Sequence, residues 1–170
     1  MKGILGPILL FLLVIPMVFG QIATAPATEP INLYAVGGSW NQSASGITAQ
    51  QYAATAMYAR AQTAAGTYAF TAIDLVPTSM TPVTLTTQTS VGIAQRVLSV
   101  AGWNIYATAA SGPSWTGTNT GWAWLAGGMA SHAVGKGNWR VMPNVRAIKS
   151  SINNNSGVQL IIGVMVGFGQ

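Results

Sequence analysis

Residues 156–170 read SGVQLIIGVMVGFGQ, and the alternation within them decides how the chain is interpreted. Val158, Leu160, Ile162, Val164, Val166 and Phe168 fall on one side of an extended segment, with Gln159, Ile161, Gly163, Met165, Gly167 and Gly169 on the other. Successive strand side chains point to opposite faces, so this is one unbroken apolar face. Its length, about eleven residues, is that of a tilted strand crossing a bilayer. The segment before it repeats the pattern: Trp139, Val141, Pro143, Val145 and Ala147 oppose Arg140, Met142, Asn144, Arg146 and Ile148. Pro143 removes one ladder donor and implies a bulge or a locally unpaired site.

Working outward from this end, strands are expected near 31–41, 50–62, 66–76, 85–98, 102–112, 120–133, 137–150 and 157–169. Their connections alternate in length. Gln62 to Gly66, Ser99 to Gly102 and Ala133 to Gly137 are short and carry glycine. Asn41 to Ala49, Val76 to Thr84, Gly112 to Thr120 and Ser150 to Gly157 are longer and rich in Ser, Thr, Asn and Pro. Such an order fits an all-β, antiparallel up-and-down transmembrane barrel of about eight strands with both termini on the periplasmic side.

Composition points the same way. Half of the 170 residues are apolar and only 5% are charged, against about a quarter in soluble domains. The chain has no Cys, which excludes disulfides, thiolate metal sites and a thiol nucleophile. A formal charge of +5 without a basic run excludes nucleic acid as a partner. Met1 and Lys2 precede an almost wholly apolar run from Ile4 to Phe19, and Val18 and Gly20 are small enough for signal-peptidase cleavage before Gln21. The expected organisation is a signal peptide over 1–20, an extended lead-in over 21–30 and a barrel over 31–170. No later run approaches the roughly twenty apolar residues of a spanning helix.

The aromatic residues recur near strand ends. Tyr34 and Trp40 share a face, as do Tyr52 and Tyr58, while Trp103, Trp139 and Phe168 fall near the periplasmic ends. Rings with a polar tip favour the headgroup level, so Tyr34, Trp40, Tyr52, Tyr58, Trp103 and Trp139 are candidate interface aromatics. Arg96, Arg140 and Arg146 oppose the apolar faces of their strands and are expected inside, in a lumen network with Asn144. An Arg facing lipid near the midplane would cost about 2–4 kcal/mol. Parity places Asp74 with Tyr68, Phe70 and Val76, which leaves open an outer-rim position or a bulge; the orientation of Trp122 and Trp124 is likewise open.

With an apparent leader, alternating strands and a hydrophobic last strand, the mature chain resembles the small outer-membrane barrels of the OmpA/OmpX type. The match is densest at Gly163-Val164-Met165-Val166-Gly167-Phe168, which is similar to the assembly signal of that family. Here Gly169 and Gln170 follow the aromatic, whereas the family usually ends on it. The resemblance implies the bacterial outer membrane as location, Val164, Val166 and Phe168 as assembly residues, and lipids and the barrel-assembly machinery as partners of a monomer.

Catalytic signals are weak. His132, Asp74 and a serine could be assembled into a triad on paper, but there is no Gly-x-Ser-x-Gly elbow. Gly37-Gly38 and Gly127-Gly128 lack a phosphate-loop context. No cofactor or metal is implied. Eight strands enclose a space just wide enough for side chains, so the expectation is a non-enzymatic barrel of structural or surface-contact role in the cell envelope, acting through four long loops. Two alternatives stand beside it. One is a soluble secreted β-sandwich binding carbohydrate through Trp115, Trp122 and Trp124; the more distant one is a lipid-modifying barrel enzyme.

Overall fold

A computed structural model describes residues 30–43, 51–63, 66–80, 83–135, 138–152 and 155–170. The expected signal peptide and most of the lead-in lie outside the described residues. Eight strands follow in order: β1 (Asn32–Ser43), β2 (Gln51–Thr63), β3 (Thr67–Met80), β4 (Val83–Val100), β5 (Trp103–Thr116), β6 (Asn119–Ala133), β7 (Trp139–Ile152) and β8 (Asn155–Gly169). Each pairs antiparallel with the next, and β8 pairs with β1 to close the ring. A single closed sheet overturns the β-sandwich alternative, which needs two sheets with edges.

The register sets the barrel's shape. From Leu33, the paired residues run through Ala59, Phe70, Gly92, Ala110, Leu125, Ile148 and Gln159 and return to β1 at Ser43. The sheet therefore closes with a stagger of about ten residues, which tilts the strands by roughly 40°. The seam is completed beyond the last aromatic. Asn32 and Gln170 exchange both backbone hydrogen bonds at 2.8 Å, so the residues that depart from the family's ending extend the closing ladder.

The loops differ from expectation. β3 runs to Met80 with β4 starting at Val83; β5 ends at Thr116 with β6 at Asn119; β7 ends at Ile152 with β8 at Asn155. Three of the four expected long loops are mostly strand, and of those four only the β1–β2 connection, 44–50, spans more than two residues. Polar Thr and Ser resemble loop signals in sequence, but Thr is a good strand former that pairs across a ladder. Thr86 and Thr116 do so with their hydroxyls 2.5 Å apart. At the opposite end, Ala101 (φ 49°) and Gly102 (φ 79°) form a two-residue turn with both angles positive, as the twist of a hairpin favours.

Pro143 keeps its β8 partner Val164, but the β6–β7 pairing is interrupted between Asn144 and Val141 without a change of register. This is the locally unpaired site that the proline implied. Register shifts instead fall at Ala61/Thr63, Pro77/Ser79 and Arg96/Leu98. Gly127 faces inward, and a Cβ there would lie 2.2 Å from the Val145 carbonyl oxygen on the neighbouring strand. Only glycine allows that approach. Gly38 faces outward, with nothing within 4 Å of such an atom.

Gly127→Val is accordingly expected to lose about 1–3 kcal/mol of stability, read from urea titration of the folded, fast-migrating band on a gel of unboiled protein. Gly38→Ala should stay within about 0.5 kcal/mol of the parent.

Candidate functional site

Parity along each strand fills the interior. On β7, Arg140, Met142, Asn144, Arg146 and Ile148 are buried, and on β3, Tyr68, Phe70, Ala72, Asp74 and Val76 are buried. Asp74 thus points inward with its whole row, without a bulge or a rim position. The large aromatic neighbours that obscured its orientation are themselves interior residues.

β3 and β7 stand on opposite sides of the eight-membered ring, and one ion pair bridges them. Arg146 Nη2 donates to Asp74 Oδ1 at 2.9 Å and Nη1 to Oδ2 at 3.1 Å, a two-pronged contact that fixes both planes. Thr55 on β2 completes it: its hydroxyl accepts from Arg146 Nη2 at 3.0 Å and donates to Asp74 Oδ1 at 2.5 Å. Asp74 is completely buried. A carboxylate there requires a matched cation and added hydrogen bonds to offset its lost hydration.

Below this layer, towards the end that carries the termini, apolar side chains take over. Phe70, Met129, Met142 and Met165 belong to the core, Met57 packs against it, and the Tyr68 and Tyr106 rings meet edge to face at 5.9 Å. Flexible thioethers fill the irregular gaps between the rings. The Tyr68 hydroxyl donates to the Pro30 carbonyl at 2.5 Å, tying the end of the lead-in to the interior. Arg140 lies lower still, buried, with Nη1 donating to Ser131 Oγ at 3.2 Å. An interior cavity of about 30 Å³ is lined by residues of both layers, among them Thr55, Asn144 and Arg146. That is room for one or two waters.

The expected lumen residues therefore separate. Arg146 and Asn144 line the same cavity, Arg140 sits nearer the terminal end, and Arg96 lies against the β2–β3 turn, where its amide donates to the Gly66 carbonyl. Asp74, a natural partner of the arginines whose orientation the sequence leaves open, completes the network, and Thr55 is the missed partner. The inward side of Asp74 could have been found, because an acidic residue sharing parity with a strand's large hydrophobes is tolerated inside a barrel and excluded from its apolar wall. Thr55 carries no signal that distinguishes it from its many neighbours.

The outer wall presents the candidate interface aromatics in two rows. Near the terminal end, Tyr34 and Tyr58 pair at 5.0 Å, Trp139 and Phe168 at 5.4 Å, and Trp103 stacks on His132 at 4.7 Å. Near the other end lie Trp40, opposite Tyr52, and the exposed Trp115, Trp122 and Trp124. Val36, Val91, Ile93, Val164 and Val166 lie exposed between them. His132 Nδ1 donates to the Gly102 carbonyl at 3.0 Å on the outer face, whereas Asp74 is inside. The wall separates the two groups that a catalytic triad would need. Among the described residues no group of three His, Cys, Asp or Glu could hold a metal.

No protein-family model matches the chain, and no curated protein matches it. Solved structures do. Neisserial surface protein A aligns over 82% of this chain and 96% of its own, with 11% identity and a TM-score of 0.61. Ail, the attachment invasion locus protein of Yersinia pestis, aligns over 83% and 100%, with 10% identity and a TM-score of 0.52. Both are eight-stranded outer-membrane barrels, and at these identities the likeness is one of fold.

The cross-barrel pair makes a quantitative prediction for unfolding in lipid vesicles. Arg146→Leu and Asp74→Leu should each cost about 3–5 kcal/mol by stranding a buried charge, while the double variant recovers most of that loss. Additive losses would mean that the two groups do not interact.

Proposed function

We propose that the protein is a bacterial outer-membrane barrel of structural or surface-contact role, exported by its N-terminal signal peptide, with no catalytic activity and no conducting pore. The observation that carries the reading is the exposed aliphatic band between two aromatic rows on the wall of a closed barrel. In water it would be an apolar patch well beyond the few hundred Å² that soluble proteins expose. In a bilayer it is covered by acyl chains, with the rings at the headgroups. The structural likeness to proteins named for the cell surface and for attachment agrees with this location.

The interior supports the second half. An ion pair bridging opposite walls and a plug of Tyr, Phe and Met argue against a route for hydrated ions. Contact with other molecules would go through residues 44–50 and the short hairpin tips, since the other connections at the end away from the termini span two residues each. On β8, Val164 and Val166 are exposed and face outward with Phe168, the side from which an assembly machinery would read them.

The mature protein should fractionate with the outer membrane, shift on gels only when boiled, and give no steady current in planar bilayers. A steady anion-selective current, abolished by Arg146→Leu, would replace the structural reading with a channel. Phe168→Ala should reduce membrane insertion. Ile161→Ala, at a completely buried interior position, should insert yet lose about 2–5 kcal/mol of stability.

A further inference from the structure

The outer wall is not uniformly smooth. Trp139, Phe168, Tyr34, Tyr58 and Thr71 are successive partners across β7, β8, β1, β2 and β3. Because pairing climbs with the stagger, this row winds upward from the terminal rim. Two residues further along the same outward faces stand smaller side chains, Val166, Val36 and Ala56. Tall rings beside a low floor create a recess of about 500 Å³, lined almost entirely by apolar groups and reaching up to Ile73. That volume lies within the roughly 300–1,000 Å³ of sites that hold small molecules.

Its walls are held in place. The Tyr58 ring packs on Tyr34, and its hydroxyl donates to Asn32 Oδ1 at 3.0 Å. Trp139 and Phe168 brace each other edge to face. Arg60 follows Tyr58 on the same outward face of β2, one step closer to the rim, and is exposed. Among the described residues the one ion pair joins Arg146 to Asp74, so none of them neutralises the Arg60 charge.

We infer that this recess holds one acyl chain of an anionic glycerophospholipid from the leaflet nearer the termini, with its phosphate on Arg60. The inference rests on the membrane reading above. The chain lies against Val36, Ala56 and Val166, and the rings wall it off from the surrounding lipid. The glycerol passes Tyr58 and Asn32 on the way to the cation. A recess that begins at the aromatic row and rises from it suits a lipid anchored at that row. A phospholipid bound here would exchange more slowly than its neighbours.

The test uses the full mature barrel, folded in vesicles of phosphatidylethanolamine and phosphatidylglycerol in equal parts, transferred to mild detergent and weighed by native mass spectrometry. The parent should retain one phosphatidylglycerol. Ala56→Trp, an outward substitution that fills the recess, should retain none while keeping its heat-dependent gel shift. Arg60→Gln should lower the preference for phosphatidylglycerol about fivefold, the factor expected for one basic group at an anionic surface. A folded parent that retains no lipid, equal retention by Ala56→Trp, an unchanged preference in Arg60→Gln, or a dimer in place of bound lipid would each overturn the inference. A parent without any heat shift would instead overturn the membrane reading.

Discussion

A single ion pair between opposite walls organises the inside of this barrel. Arg146 and Asp74 project from strands on facing sides of the ring and meet, with Thr55, in the buried interior. The geometry follows from closure. Eight strands with this stagger set a diameter that an extended arginine and an aspartate can just span. A wider ring would pull them apart, and a flatter sheet would not bring them together. The glycine opposite Arg146, Gly127, lets the neighbouring strand come close enough for that diameter to hold.

The rest of the interior is arranged around that layer. Among the described residues the buried charges are the matched pair in mid-barrel and Arg140, beside Ser131 nearer the terminal rim. Between them the space belongs to tyrosine, phenylalanine and methionine, which ask little of their surroundings. The outer wall inverts this order, with aliphatic side chains at mid-height and rings at the two ends. The interior mixes apolar side chains with neutral polar ones such as Gln88, Ser90 and Asn104, and the outer wall is apolar, which explains how a chain with so few charges can fold. Its polar demand is met almost wholly by the closed backbone ladder.

Much of this could be read from the sequence. The perfect alternation of 158–168 and of 139–148 identified β8 and β7 and the inward side of Arg140, Asn144 and Arg146. Those strands were legible because their outer faces are large and aliphatic. Two features escaped. Asp74 was ambiguous because Tyr68 and Phe70 share its face, and large rings in a strand suggest the lipid side; an eight-stranded lumen is narrow enough to need them. The hairpin ends were misjudged because Thr, Ser and Asn signal turns in soluble proteins, whereas in a closed barrel they continue the ladder to the tip. Pairing across the ring, such as Arg146 with Asp74 and Thr55, depends on register and stagger. No local pattern encodes either.

The most direct measurement is nuclear magnetic resonance of the arginine side chains in the barrel reconstituted in lipid nanodiscs. The Arg146 guanidinium protons should exchange with water far more slowly than those of exposed Arg60, and should show contacts to Thr55 on the far wall. Arg146 protons that exchange as fast as those of Arg60, with no contact to Thr55, would contradict a lumen closed by a cross-barrel ion pair.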